Sequence, residues 1–246
     1  MKMKSQHIAI LLIILLIGCR QGNKPTLYMI GDSTMADKEK LYLPERGWGQ
    51  LLPQLFTDDI LIENHAKNGR STRSFIYEGR WDSVYQKLQP NDFVIIQFGH
   101  NDGSIQKLER YATPIEYEYN LRKFVRETRE KNATPILATP MVRRRFDEQG
   151  QFYDSHGEYP DIARKIATDM QVPLLEIHKK SWEYVSALGP EASLPVYLHI
   201  EPNMNDSLPD GKRDDTHFSE FGALEMAKIA AIEIKIKVPE LAKHLK

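Results

Sequence analysis

Apolar residues fall along this chain in two alternating rhythms. Thr26–Ile30, Ile60–Ile62, Asp92–Phe98, Thr134–Ala138 and Val172–Ile177 are short apolar runs, several of them β-branched, with the length of buried strands. Between them the apolar positions recur at helical spacing: Trp48 to Phe56, Ser74 to Leu88, then Tyr117, Leu121, Phe124 and Val125 up to Lys131, and Pro160 to Met170. A last helix is expected from Ser219, with Phe221, Leu224, Ala227 and Ala231 on one face. Parallel strands need a helical crossover, so this alternation predicts an α/β domain whose parallel sheet, of about five strands, is covered on both faces. No internal repeat interrupts the pattern.

Sheets of this kind place their sites at the C-terminal ends of the strands, so the polar stretches found there are where chemistry is expected. Gly31-Asp32-Ser33-Thr34 follows the first strand, Asn64 to Ser71 with Gly69 the second, and Gly99-His100-Asn101-Asp102 the third. Two long loops are also expected. One runs from Met141 to Tyr159 and holds Arg143-Arg144-Arg145 and His156, and its length suggests a functional loop more than a connector. The other runs from about Pro190 to Lys212 and delivers Arg213-Asp214-Asp215-Thr216-His217-Phe218 to the rim.

A serine lifted off a strand end onto a glycine turn is exposed among free backbone N–H groups, which suits a nucleophile as well as it suits a helix N-cap. Its hydroxyl needs a base, normally an imidazole, and the imidazole needs an acceptor on its other nitrogen. Asp214 and His217, three residues apart before a helix, can present both side chains to one place. The oxyanion of an acyl-transfer intermediate also needs donors. The backbone N–H of Ser33, the backbone at Gly69 and the Asn101 amide are candidates, although taken singly Gly69 and Asn101 read as turn residues.

Composition narrows the function classes. The chain has 246 residues, enough for one domain with a substantial core, and 33 basic against 34 acidic residues, so it carries no bulk nucleic-acid signature. Lys2 and Lys4 precede an apolar run from Ile8 to Ile17, the arrangement of a secretory signal, too short to span a bilayer comfortably. That run ends in Leu16-Ile17-Gly18-Cys19, which resembles the bacterial lipobox. The organisation expected is a signal peptide over 1–18, a lipidated Cys19 and tether over 19–25, and one domain over 26–246. Cys19 is the only cysteine, so no disulfide forms within the chain. Loss of Lys2 and Lys4 leaves 31 basic against 34 acidic residues, a mildly acidic domain exported and held at a membrane by its N-terminus.

Taken together, Gly31-Asp32-Ser33, Gly69, Gly99-x-Asn101-Asp102 and Asp214-x-x-His217 resemble the blocks of the SGNH, or GDSL-type, hydrolases. The resemblance implies a flavodoxin-like three-layer α/β/α sandwich and ester hydrolysis by Ser33, Asp214 and His217, with Ser33, Gly69 and Asn101 as the oxyanion hole. Gly31-Asp32-Ser33-Thr34, Asn68-Gly69-Arg70-Ser71 and Asp214-Asp215-Thr216-His217-Phe218 are similar, more narrowly, to rhamnogalacturonan acetylesterases, which deacetylate pectin. Asp214 aligns with the family's acid, and the adjacent Asp215 leaves open which carboxylate orients His217. The implied substrate is an acetylated polysaccharide or oligosaccharide.

Arg70, Arg73 and Arg143, with Arg144 and Arg145, are candidates for binding uronate carboxylates, against the alternative that they are solvated loop residues. Trp48 and Trp81 can stack on sugars or pack in the core. His65, His100 and His156 show no metal-ligand spacing, and neither metal nor cofactor is expected. Two other readings are a lysophospholipase or thioesterase on the same scaffold, and a non-catalytic surface lipoprotein that binds glycans. No obligate protein partner is evident.

Overall fold

The computed structural model describes residues 24–246; the expected leader at 1–18, Cys19 and most of the tether lie outside them. The strands are β1 (Thr26–Gly31), β2 (Leu61–Asn64), β3 (Phe93–Gln97), β4 (Thr134–Ala138) and β5 (Leu174–Leu175). They form one five-stranded parallel sheet in the order β2-β1-β3-β4-β5. This is the flavodoxin-like order, and its switch point lies between β1 and β3, where the connections leave in opposite directions.

Period-two alternation sends neighbouring strand residues to opposite layers. Leu27, Met29 and Ile95 enter one core with α1 (Trp48–Leu51), α6 (Ile177–Ala192) and α7 (Glu220–Lys237). Tyr28, Ile30, Val94 and Ile96 enter the other with α2 (Thr72–Tyr77), α3 (Arg80–Lys87), α4 (Pro114–Glu130) and α5 (Tyr159–Asp169). Beyond this sandwich are a two-stranded antiparallel hairpin of β6 (Tyr197–Ile200) and β7 (Lys212–Phe218), and a short α8 (Pro239–Ala242). No described helix is long and apolar enough to cross a membrane.

Several expected boundaries move for identifiable reasons. The helical run from Ser74 to Leu88 is two helices, broken where Gly79 adopts φ 68°. The strand expected over Val172–Ile177 shrinks to two residues because α6 starts at Ile177. That helix was not expected at all, and its end at the kinked Gly189-Pro190 overlaps the predicted loop. The rest of that loop contains β6, and Asp214 and His217 sit in β7 rather than in a loop. On α7 the buried face is Ala223, Met226, Ala227, Ala230 and Ile234, whereas Phe221 is exposed. At the start of the helix Gly222 faces inward with no room for a side chain, because the helix runs close over Val196, whose carbonyl would meet any Cβ placed there at 1.7 Å.

Gly31 is needed for space and not for a left-handed turn. Its φ is not positive; a Cβ there would approach the Gln97 carbonyl at 2.7 Å, so the close approach of β3 requires glycine. Trp48 and Trp81 are fully buried and serve the core, not sugar stacking.

The segment from Met141 to Tyr159 is mostly irregular, but it is pinned by buried histidines. Asp154 Oδ1 pairs with His156 Nδ1 at 2.8 Å and with His178 Nε2 at 3.1 Å, and His156 Nε2 pairs with His100 Nδ1 at 3.2 Å. Burial lowers His156 from 6.5 to about 4, helped by the charges of Arg143 and His178 and opposed by Asp154. A group whose folded value is depressed leaves the unfolded chain with the extra proton between the two values, so stability falls as the pH drops through that window. Denaturation at a series of pH values is expected to show this: between about 6.5 and about 4, stability falls with decreasing pH less steeply in His156→Gln than in the wild type. Equal slopes in the two proteins would contradict the assignment.

Candidate active site

The turn after β1 is held from below by a buried chain of hydrogen bonds. Trp48 Nε1 donates to Gln97 Oε1 at 2.7 Å, and Gln97 Nε2 donates to Thr34 Oγ1 at 3.0 Å. Thr34 in turn donates its hydroxyl and its backbone N–H to Asp32 Oδ1 at 2.8 and 2.9 Å. Burial raises the Asp32 carboxyl above its usual value, against the pull of the Thr34 bonds and of Arg143 and His217. These contacts fix the backbone on either side of Ser33, whose side chain faces a cleft.

The opposite wall comes from the hairpin. Leu198 pairs with Asp214 and the adjacent Tyr197 with Phe218, so Asp215, Thr216 and His217 bulge out of the ladder. A bulge leaves backbone N–H groups without ladder partners. Asp214 Oδ1 accepts two of them, Thr216 N at 2.9 Å and His217 N at 3.0 Å. Asp214 Oδ2 pairs with His217 Nδ1 at 2.8 Å, and His217 Nε2 lies 2.8 Å from Ser33 Oγ. Burial pushes the Asp214 carboxyl up, but the His217 bond and charge and the two backbone donors outweigh it and hold the group well below the usual carboxylate range. Asp215 is engaged elsewhere, with Arg144 Nη1 at 2.9 Å and His199 Nε2 at 2.8 Å. The open choice between the two carboxylates therefore falls to Asp214 on geometry.

Gly69 and Asn101 line the same cleft, of about 430 Å³, as Ser33, Asp214 and His217. Asn101 follows β3, where Asp102 secures the turn: its carboxylate accepts from Gly99 N at 3.1 Å and from the Thr72 backbone and hydroxyl at 2.9 and 2.6 Å. Burial pushes the Asp102 carboxyl up to about 7. With an imidazole held by a carboxylate, and Ser33, Gly69 and Asn101 lining one cleft, the arrangement has the parts needed to deprotonate a serine and hold an oxyanion.

One contributor was invisible in the sequence. The Lys38 ammonium is buried and donates to the Ser33 carbonyl at 2.6 Å and to Asn68 Oδ1 at 2.7 Å, with Glu45 Oε1 at 2.7 Å as its counter-ion. It ties the serine turn to the Gly69 loop. Within Ala36-Asp37-Lys38-Glu39-Lys40 it reads as one charge in a solvated run, and no local signal separates it from its neighbours.

The arginines divide. Arg70 and Arg73 line a groove of about 720 Å³ that shares Asn68, Gly69 and Arg110 with the cleft. Arg70 is tied to Glu78 at 3.0 Å and Arg73 to Glu116 at 3.4 Å. Arg143, expected among the substrate-facing residues, lines neither space; its guanidinium donates to the His100 carbonyl at 2.9 Å and to Ser155 Oγ at 3.2 Å. Arg144 is committed to Asp215, and Arg145 is exposed.

His65 pairs with Glu63 at 2.9 Å. Asp154, His156 and His178 bring three ligand atoms within 4.8 Å of one another, a grouping that the sequence spacing did not reveal. His178 Nδ1, however, faces Arg164 Nη2 at 3.5 Å. A metal on Nε2 would force the His178 proton onto Nδ1 against that guanidinium, whereas the hydrogen-bonded set leaves Nδ1 free to accept. The residues present fit the hydrogen-bond network better than a cation.

Known proteins share this organisation. The family model described as the GDSL-like lipase/acylhydrolase family matches residues 29–223. The rhamnogalacturonan acetylesterase RhgT of Bacillus subtilis is 39% identical over 89% of this chain and 93% of that protein. The probable rhamnogalacturonan acetylesterase YesY of the same organism is 34% identical over 85% of this chain and 92% of that protein. Among solved structures, the acetylxylan esterase Axe2 of Geobacillus stearothermophilus superposes with a TM-score of 0.62 at 21% identity, covering 87% of this chain and 95% of that one, a likeness of fold. With the family model spanning most of the sheet and every residue that lines the cleft, the chain belongs to the GDSL-type, or SGNH, family of ester hydrolases.

Proposed function

We propose that this esterase removes O-acetyl groups from a plant cell-wall polysaccharide, acetylated rhamnogalacturonan before others, with Ser33 as nucleophile, His217 as base and Asp214 as its orienting acid. The observation that carries the mechanism is the unbroken line from Ser33 Oγ through His217 to Asp214, with 2.8 Å at each link. Asp214 keeps the His217 proton on Nδ1, so Nε2 is free to take the proton of Ser33 as its oxygen attacks the acetyl carbonyl. The oxyanion is received by the backbone N–H groups of Ser33 and Gly69 and by the Asn101 amide. His217 then hands its proton to the departing sugar hydroxyl, and water repeats the sequence on the acetyl-enzyme, releasing acetate and restoring Ser33.

The choice of substrate is supported by the chemistry around the cleft. Guanidinium groups of Arg70, Arg73 and Arg110 line the adjoining groove, and Tyr77, 92% exposed, stands on its edge as a platform for a sugar ring. Uronate carboxylates and pyranose faces are what such a groove would recognise. Its named relatives RhgT and YesY carry the pectic activity in their names. A lysophospholipase or thioesterase is less well served, because among the described residues no aliphatic side chain lines the cleft. A purely binding role would leave the Ser33–His217–Asp214 alignment without a purpose.

The N-terminal sequence adds a proposed location. A leader over 1–18 and a lipid on Cys19 would hold the esterase at a membrane as an exported bacterial lipoprotein, on the periplasmic face or at the cell surface. Replacing Cys19 with Ala is expected to move the protein from the membrane to the soluble fraction, and unchanged fractionation would count against the anchor.

Acetate release from acetylated rhamnogalacturonan and acetylated xylan, and fatty-acid release from a lysophospholipid, all measured for the chain lacking residues 1–19, test the substrate. The pectic polymer is expected to be the preferred one; preference for xylan or lipid would keep the mechanism and replace the substrate. The acid is tested separately. Asp214→Asn is expected to lower kcat by about 10⁴-fold by releasing the wrong tautomer, and Asp215→Asn by less than about tenfold. The reverse order would move the orienting role to Asp215.

A further inference from the structure

Asn101 lines the cleft, and both ends of its amide are already held. Its Nδ2 donates to the Arg70 carbonyl at 2.9 Å, which leaves one N–H, and its Oδ1 accepts from Arg110 Nη1 at 3.0 Å. An amide flip would put oxygen against the Arg70 carbonyl and nitrogen against a guanidinium, so neither end tolerates it. Arg110 is also packed against the other non-serine wall of the cleft: a Cβ added to Gly69 would meet its Nη1 at 3.3 Å. One guanidinium therefore bonds to Asn101 and fills the space beside Gly69, and it lines the cleft itself. Arg110 lies in the connection between β3 and α4, with its backbone N–H on the Lys107 carbonyl at 3.0 Å and its Nε 3.3 Å from Glu109.

We propose that Arg110 is the positioning residue of the oxyanion site. It fixes the orientation of Asn101, and its charge-assisted bond to Oδ1 draws electron density from the amide and strengthens the remaining N–H as a donor. The gain is small toward a neutral ester carbonyl and larger toward the tetrahedral oxyanion, so it appears in kcat rather than in KM. The role rests on the ester-hydrolase reading of the cleft and is independent of which polysaccharide is the substrate. Lysine in its place would keep the charge but lose the rigid fork that reaches the amide oxygen beside Gly69.

The test is a double-mutant cycle on p-nitrophenyl acetate, a small neutral ester that needs no contact with the groove. Arg110→Met is expected to lower kcat about tenfold, less than the 10²–10³ of a lost oxyanion donor, with KM unchanged. In an Asn101→Ala background, where there is no amide to position, the same substitution is expected to lower kcat less than about twofold. Equal losses in both backgrounds would overturn the proposal, and so would an effect confined to KM, which would make Arg110 a substrate contact. If Arg110→Met unfolds, Arg110→Lys carries the cycle: a partial loss of kcat that disappears with Asn101→Ala supports the role, and a loss that persists overturns it. An active wild type with unaffected Arg110 variants overturns this role alone, whereas a wild type that leaves the ester intact overturns the hydrolase reading with it.

Discussion

Asp214 Oδ1 accepts the backbone N–H groups of Thr216 and His217 while Oδ2 pairs with His217 Nδ1, so one carboxylate both shapes the backbone that carries the imidazole and orients the ring. A fully buried N–H left unpaired costs about 1–3 kcal/mol, and Asp214 pairs two part-buried N–H groups of the bulge at once, each sparing some fraction of that. The same bonds keep the group ionised against its burial. An asparagine could support at most part of this, because its nitrogen end cannot accept. Bulge geometry, His217 tautomer and the 2.8 Å approach to Ser33 Oγ thus depend on a single side chain.

The rest of the site is rigid for reasons that lie in the sheet. β1 and β3 pair side by side at the topological switch point, so the turns after them emerge together above the sheet. Asp32, Thr34, Gln97 and Trp48 brace the serine turn from the core side, and Lys38 links it to the loop of Gly69. Donors fixed before substrate arrives need not reorganise when charge develops, which is where most of the rate advantage of such sites originates. The groove beyond Gly69 is built differently, from exposed and partly paired arginines, and suits recognition more than chemistry.

Much of this is legible in the sequence because burial on both faces of a parallel sheet imposes a strong apolar pattern. β4 is observed where the sequence put it, and Ser33, Gly69 and Asn101 each follow a strand that the pattern identified. The hairpin was not legible: Lys-Arg-Asp-Asp-Thr-His-Phe is a polar strand held by one partner and an internal carboxylate, so it reads as loop. α6 was hidden by the Gly189-Pro190 break, which signals a turn more loudly than the preceding residues signal a helix. Lys38 and the Asp154–His156–His178 group owe their meaning to contacts between distant segments, and charge or imidazole content carries no sign of such contacts. The arginine run misled for the same reason, since Arg143 and Arg144 look solvated or substrate-facing until His100 and Asp215 are found beside them.

The central claim is that Ser33 becomes covalently acetylated during turnover. Rapid-quench mass spectrometry of the enzyme mixed with an acetyl ester, followed by peptide mapping, tests it most directly. The account predicts one acetyl group on the peptide containing Ser33 within the first turnover, absent in Ser33→Ala. Acetate release that persists undiminished in Ser33→Ala, or an acetyl group on another residue, would contradict it.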